Sequence, residues 1–313
     1  MIAFLITGSK KEGLGHIFRT LSLIQILKEK NLPYTCFTNQ DPVLSSLIPS
    51  HNITELTDHF FETQKAITLV IDTRHDMTAI ILLAKKHTVP VVQIDCLNNS
   101  RLLADINIYP NPHFPYKTLD WTGYSGRCFS GADYTPIHTK FLHTKNHLPQ
   151  LSERHRILIS FGGSDPNHLT PKILGWLESE NLPWPIDIII GPAFTGNIPK
   201  TTGTIYQNCQ NISPIMAKAG ILITSLGTTI YEAAILKLPT IIISNFKEDA
   251  RDETSLSKFE GFFPLGYYQT MTKIQLLTCI KKCIENHARN SQQIGTLIDG
   301  KGTRRIIDLI CQL

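Results

Sequence analysis

No apolar run in this 313-residue sequence approaches the roughly 18 consecutive residues that a membrane-spanning helix requires. The segment 1–6 lacks the basic leader and the longer apolar stretch of a secretory signal. A soluble, cytoplasmic protein without integral membrane association is expected. Charge of one sign is not in excess: 30 basic against 26 acidic residues leave +4, too little and too scattered for a nucleic-acid-binding surface. Nucleic acid is therefore not an expected partner. The seven cysteines, at 36, 96, 128, 209, 279, 283 and 311, include no C-x-x-C pair. That argues against a disulfide framework and a structural zinc site, and they read as reduced core thiols. The histidines show no metal-ligand spacing, so no metal and no cofactor are expected.

What is present is an ordinary globular mixture, 42% hydrophobic and 18% charged, of a length that suits two domains. The run 2–6 reads as a strand. A glycine loop over 8–15 follows it, and then Ile17, Leu21, Ile24 and Leu27 mark one face of a helix. Further strands are expected over 34–38, 68–71, 89–94 and 106–109, with a helix over 78–86. Strands alternating with helices imply a parallel sheet with crossover connections. The polar segment 143–155 reads as a linker between a first domain, 1–142, and a second, 156–313. In the second, strands are expected over 157–161, 186–190, 220–224 and 240–243. The helical tail over 302–313 has the pattern to pack back on the first domain. The fold class is α/β, two Rossmann-like doubly wound domains.

Three loops carry the candidate chemistry. The first, Gly8-Ser-Lys-Lys-Glu-Gly-Leu-Gly-His16, lies between strand and helix, where backbone amides and the helix dipole suit an anion. Gly13 and Gly15 permit close approach, although a plain tight turn would use them equally. His16 opens the helix at the carboxyl end of a strand, where open α/β sheets place their ligands. It is the candidate general base; a capping or surface histidine is the other reading. Arg19, one turn on, is placed to face the same crevice or solvent. The second loop, Phe161-Gly-Gly-Ser-Asp-Pro-Asn167, offers the amides of Gly162, Gly163 and Ser164, with Asp165-Pro166 reading as a helix start. The third, Ser225-Leu-Gly-Thr-Thr-Ile-Tyr-Glu232, offers Leu226, Gly227, Thr228 and Thr229 at a further helix start, where a diphosphate or simple capping would explain them. Glu232 is suited to a ribose diol or to the first-turn dipole. Asp72 and Asp95 end two first-domain strands, either orienting a sugar or His16, or standing in solvent.

Taken together, the strings Gly13-Leu-Gly-His-Ile-Phe-Arg19, Gly162-Gly-Ser-Asp-Pro-Asn-His-Leu-Thr170 and Gly227-Thr-Thr-Ile-Tyr-Glu232 with Pro239 resemble the nucleotide-sugar hydrolase family of pseudaminic acid biosynthesis. Spore-coat SpsG-like proteins and MurG-type glycosyltransferases are its relatives. The resemblance implies a GT-B architecture, two Rossmann-like domains facing a central cleft, with the sugar bound mostly by the first and UDP mostly by the second. It implies metal-independent cleavage of the sugar's anomeric C–O bond, with His16 activating water, Gly227–Thr229 holding the diphosphate and Glu232 the ribose. The chain departs from that family where it reads Asp72-Thr-Arg74 in place of Asp-x-Tyr, at Ile94-Asp-Cys96 near an Asp-Asp, and at 248–253, Glu-Asp-Ala-Arg-Asp-Glu, which replaces an Asn-Gln pair. The expected partner is a UDP-linked sugar; the oligomeric state is left open. A glycosyltransferase using a nucleotide-sugar donor and a non-catalytic nucleotide-sugar binding protein are the alternatives.

Overall fold

The computed structural model describes residues 1–8, 15–64, 67–112, 116–197, 200–207, 209–247 and 254–313. The chain divides into two compact units, Met1–His138 with Gly300–Leu313, and Thr139–Asp299. Unit 1 is built on seven strands: β1 (Ile2–Ile6), β2 (Tyr34–Thr38), β3 (His51–Asn52), β4 (Thr68–Asp72), β5 (Val91–Ile94), β6 (Ile106–Tyr109) and β7 (Arg127–Ser130). Their order is β3-β2-β1-β4-β5-β6-β7, every pairing parallel. Unit 2 has β8 (Ile157–Ser160), β9 (Ile186–Ile190), β10 (Ile205–Gln207), β11 (Ile221–Thr224), β12 (Thr240–Ser244) and β13 (Phe262–Tyr267) in the order β10-β9-β8-β11-β12-β13, again all parallel. This is an α/β fold of two doubly wound units.

The central strands are continuous apolar runs because both faces of each sheet are covered. In β1, Ile2, Phe4 and Ile6 point into one core with Ile17, Leu23, Ile24 and Leu27 of helix α1 (Gly15–Glu29). Ala3 and Leu5 point into the opposite core with Ile81 and Ala84 of the helix Thr78–Lys86. The period-2 alternation of a strand thus feeds two hydrophobic layers. The helix Gly302–Ile310 adds Ile306, Ile307 and Ile310 to the first of these cores beside α1. Thr303 Oγ1 donates to the Ile137 carbonyl and accepts its amide, and a Cβ at Gly302 would stand 2.2 Å from the Thr135 carbonyl oxygen. Only glycine lets this helix start so close to the neighbouring backbone.

Segment 143–155 is not a linker. It holds the end of the helix Thr139–Lys145 and a short turn Leu151–Glu153, both inside unit 2. Thr144 and Ser213 share a hydroxyl hydrogen bond of 2.7 Å, and the buried Arg154 donates through Nε to the Ala219 carbonyl at 2.9 Å. A few polar anchors do what an apolar stripe usually does, which is why composition misreads the segment. The helix expected at Asp165-Pro166 begins later, at Leu169. Four strands, β3, β7, β10 and β13, escape the hydrophobic pattern; they are the sheet edges, and β13 carries Pro264 and Gly266, residues that edges tolerate. Among the described residues no helix is long and apolar enough to cross a membrane.

Candidate functional site

In unit 1 the strand order reverses between β1 and β4, and open α/β sheets bind ligands outside the carboxyl ends of such a pair. Pairing of Ile6 with Asp72 brings the last residue of β4 level with the end of β1. His16 and Arg19 sit three residues apart in the first turns of α1, so both side chains leave the helix on one face. They meet Asp72 there. Asp72 Oδ1 accepts from His16 Nδ1 at 2.5 Å and from Arg19 Nη2 at 2.5 Å; Asp72 Oδ2 accepts from Arg19 Nε at 2.7 Å. Arg19 Nη1 then donates to Asp95 Oδ2 at 3.2 Å, and Asn111 Nδ2 approaches both Asp95 oxygens at 3.3 Å. Thr7 and Thr73, at the ends of β1 and β4, share a short hydroxyl contact.

Burial alone would push the Asp72 carboxyl up. Attraction to Arg19 and His16, with the hydrogen bonds of both, outweighs it and holds the group at about 2. The same exchange acts on Arg19: burial pulls the guanidinium down, and Asp72 and then Asp95 raise it above its ordinary value. With Asp72 ionised and able only to accept, Nδ1 of His16 must carry the proton that it donates. The 3.0 Å approach of Arg19 Nη2 to that nitrogen follows from two donors sharing one carboxylate oxygen. The tautomer so assigned leaves a lone pair on Nε2, which has no hydrogen-bond partner among the described residues. The His16 side chain is 9% exposed, Arg19 4%, Asp72 fully buried and Asp95 21% exposed. The arrangement is an imidazole held through Nδ1 by a buried carboxylate, which in the neutral ring leaves Nε2 as the nitrogen that can take a proton.

In unit 2 the order reverses between β8 and β11, and the second and third loops end these two strands. Gly162 has φ +76°, and the carbonyls of Gly162 and Gly163 lie against Gly191 after β9; Gly163 accepts from the Ala193 amide at 2.9 Å. Ser164 is half-buried. Asp165 spends both carboxylate oxygens on the Leu169 and Thr170 amides, each at 2.8 Å, so it caps the following helix and has no oxygen left over for a ligand at its present geometry. In the third loop Leu226, Thr228 and Thr229 are half-buried and Gly227 is exposed; the amides of Gly227, Thr228 and Thr229 find no acceptor among the described residues. Glu232, inside the short helix Thr229–Ile235, is half-buried, and burial pushes its carboxyl up to about 7.

The structure therefore assembles His16, Arg19, Asp72 and Asp95 into one cluster, and places Gly162–Asp165 and Leu226–Glu232 at the ends of adjacent strands. Gly15 starts α1; Gly13 and 248–253 lie outside the described residues. Two polar residues went unread. Asn111 follows β6 and completes the hold on Asp95, and Asn245 follows β12 and accepts from Asn167 Nδ2 at 3.1 Å. Each lies just past a strand's carboxyl end, the one signal that would have found them. The described residues also hold a possible metal grouping that spacing did not show: Asp58, Glu62 and His87, with ligand atoms within 4.8 Å of one another. Lys86 and His87 already occupy Asp58 Oδ1, both at 2.7 Å.

No family model matches the sequence. The chain is 28% identical over 270 residues to the uncharacterized protein MJ1062 of Methanocaldococcus jannaschii, covering 77% of this chain and 55% of that one. It is 21% identical over 329 residues to the spore coat polysaccharide biosynthesis protein SpsG of Bacillus subtilis, covering 98% and 96%. It is 22% identical over 244 residues to the pseudaminic acid cytidylyltransferase and UDP-2,4-diacetamido-2,4,6-trideoxy-beta-L-altropyranose hydrolase of Helicobacter pylori, covering 74% of this chain and 42% of that one. The chain thus spans about half the length of the first and third of these relatives. Among solved structures, Acinetobacter baumannii MurG superposes with a TM-score of 0.68 at 14% identity, covering 100% of this chain and 99% of that one. The S. aureus MnaA–UDP co-structure superposes at 0.64 and 12% identity, covering 99% and 95%. The fold is that of the GT-B glycosyltransferases.

Proposed function

We propose that the chain hydrolyses a UDP-linked deoxy or acetamido sugar at the anomeric C–O bond, without a metal, releasing UDP and the free sugar. The observation that carries the reading is the His16–Asp72 pair, in which Nδ1 donates to the carboxylate and Nε2 is the nitrogen left to act as base. In the reaction a water oxygen bonds to the anomeric carbon while the bond from that carbon to the β-phosphate oxygen breaks. The electron pair leaves with UDP, and the proton of water passes to His16 Nε2. A diphosphate is a good leaving group once amides stabilise its charge, so one positioned base and one water suffice. Those amides are assigned to Gly227, Thr228 and Thr229, with Gly162, Gly163 and Ser164 beside them and Glu232 as acceptor for the ribose diol. The printed activity of the H. pylori relative, a hydrolase of a UDP-linked deoxy-diacetamido sugar, supports this choice. SpsG, whose printed role is in a surface polysaccharide, supports a place in the synthesis of nonulosonic acids or related surface glycans.

Incubation with a panel of UDP-sugars, without acceptor and with chelator present, is expected to release UDP, and His16→Ala to slow that release by roughly 10²–10⁴-fold. Release that depends on an acceptor would establish the second reading, a glycosyltransferase in which Nε2 deprotonates an acceptor hydroxyl. UDP-sugar binding with no turnover under either condition would leave a binding protein.

A further inference from the structure

Arg19 is the residue in this cluster most easily mistaken for a phosphate ligand, and its surroundings argue otherwise. Its Nε and Nη2 are committed to the two oxygens of Asp72, and its Nη1 to Asp95. The side chain is 4% exposed, so the guanidinium presents no open edge to an incoming anion. Charge points the same way. Two carboxylates surround one guanidinium, an arrangement that offers an incoming diphosphate no uncompensated positive charge and suits a neutral sugar whose anomeric carbon gains positive character as its bond to oxygen breaks.

The cluster is also continuous. Asn111 after β6 holds Asp95 after β5; Asp95 holds Arg19 on α1; Arg19 and His16 converge on Asp72 at the end of β4. Asp95 adopts φ +59°, a left-handed conformation that costs a non-glycine residue of order 1 kcal/mol. Its amide donates to the Ile108 carbonyl at 2.8 Å, which ties that backbone to β6 and fixes the direction of the carboxylate. Such a conformation persists where the neighbours over-determine it, and here they aim one carboxylate at Arg19.

We propose that Arg19, clamped by Asp72 and by the Asp95–Asn111 pair, is a positioning residue that locks His16 in its Nε2-outward tautomer, and that it is not a ligand of the substrate's phosphates. The inference deepens the hydrolase reading, on which it rests for the identity of the base. Arg19→Lys keeps the charge but loses the planar fork that spans Asp72 and Asp95. Asn111→Ala loosens Asp95 from the half-exposed outer end without emptying a buried charged position. Asp95→Asn retains tolerance for the left-handed backbone and an oxygen that accepts from Arg19.

The test combines three measurements on the full chain. In steady-state hydrolysis, Arg19→Lys is expected to lower kcat at least tenfold and Asn111→Ala about threefold, each with KM within twofold of wild type, while Asp95→Asn recovers most of the activity that Asp95→Ala loses. In calorimetry with UDP as the probe, the affinity of all four variants stays within twofold. In 15N NMR of histidine-labelled protein, wild-type His16 shows protonated Nδ1 and unprotonated Nε2, and Arg19→Lys and Asn111→Ala shift those signals toward tautomer averaging. A tenfold loss of UDP affinity or a rise of KM at constant kcat in Arg19→Lys would overturn the proposal, as would His16 signals that do not move in either variant. If wild type releases no UDP while the NMR changes occur as described, the clamp stands and the hydrolase reading falls. If wild type hydrolyses and Arg19→Lys matches it in rate, the clamp falls alone.

Discussion

Asp72, fully buried, and Glu232, half-buried, are two carboxyl groups with opposite surroundings, and pH separates them. Burial would raise the Asp72 carboxyl, but the Arg19 guanidinium and the hydrogen bonds from Arg19 and His16 draw it from 3.8 to about 2, so its contribution to stability is complete above the unfolded value and is lost as pH falls toward 2. The shift corresponds to about 2 kcal/mol. Asp72→Asn is expected to flatten that acid limb in urea unfolding followed from pH 5 to pH 2, and to cut kcat by roughly 10²–10⁴-fold because the amide no longer dictates which imidazole nitrogen is protonated. Glu232 is raised from 4.5 to about 7 by burial, with no opposite charge to offset it. Stability from this group is therefore complete below 4.5 and lost as pH rises through 7. Glu232→Gln is expected to gain about 1–2 kcal/mol at pH 8 and almost nothing at pH 4, read by urea unfolding, while UDP affinity by calorimetry falls. Unchanged UDP affinity would remove Glu232 from the nucleotide's contacts. Both residues were visible in the sequence as candidates. Which of its open roles Asp72 takes was not, because its partners lie 56 and 53 positions away and only the reversal of strand order brings them together.

At the scale of elements, the central strands were legible because burial on both faces writes apolar runs such as Ile2–Ile6 or 221–223. The edges were not, since a strand such as Arg127–Ser130, with one neighbour and an exposed flank, carries mixed chemistry. The Asp165 turn misled for a related reason. Asp-Pro is a sound helix-start signal, yet the chain adopts φ +43° at Asp165 and φ +50° at His168 before the helix begins, and the carboxylate reaches across to cap it. Asp165→Ala is expected to cost about 1–2 kcal/mol in thermal unfolding by removing that cap. Asp165→Asn, which keeps one accepting oxygen, should cost less. At the other end of the chain, Gly302→Ala would drive a methyl group to 2.2 Å from the Thr135 carbonyl oxygen and is expected to destabilise by about 1–3 kcal/mol, checked in the same assay.

For the whole molecule, the doubly wound class followed from the alternation of strand and helix, and the helical pattern over 302–313 already pointed back to the first domain; the boundary after 138, in place of a linker over 143–155, was not legible. Residues 300–313 belong with 1–138, and the contribution of Ile306, Ile307 and Ile310 to the core beside α1 shows why. Ile306→Ala is expected to cost about 2–5 kcal/mol and, because that core supports the helix bearing His16 and Arg19, to lower kcat at temperatures well below its unfolding midpoint. Unit 2 is continuous in sequence and owns a separate core from Ile157 to Cys283, so a fragment spanning 139–299 is expected to unfold cooperatively by circular dichroism. A fragment spanning 1–138 alone should not. This discontinuity also sets an order of events during synthesis. Residues 139–299 leave the ribosome as a self-sufficient folding unit while 1–138 still wait for the helix Gly302–Ile310, so α1, which bears His16, gains its full packing only after residues near 310 have emerged. A product truncated before residue 300 is then expected to leave the core beside α1 without Ile306, Ile307 and Ile310.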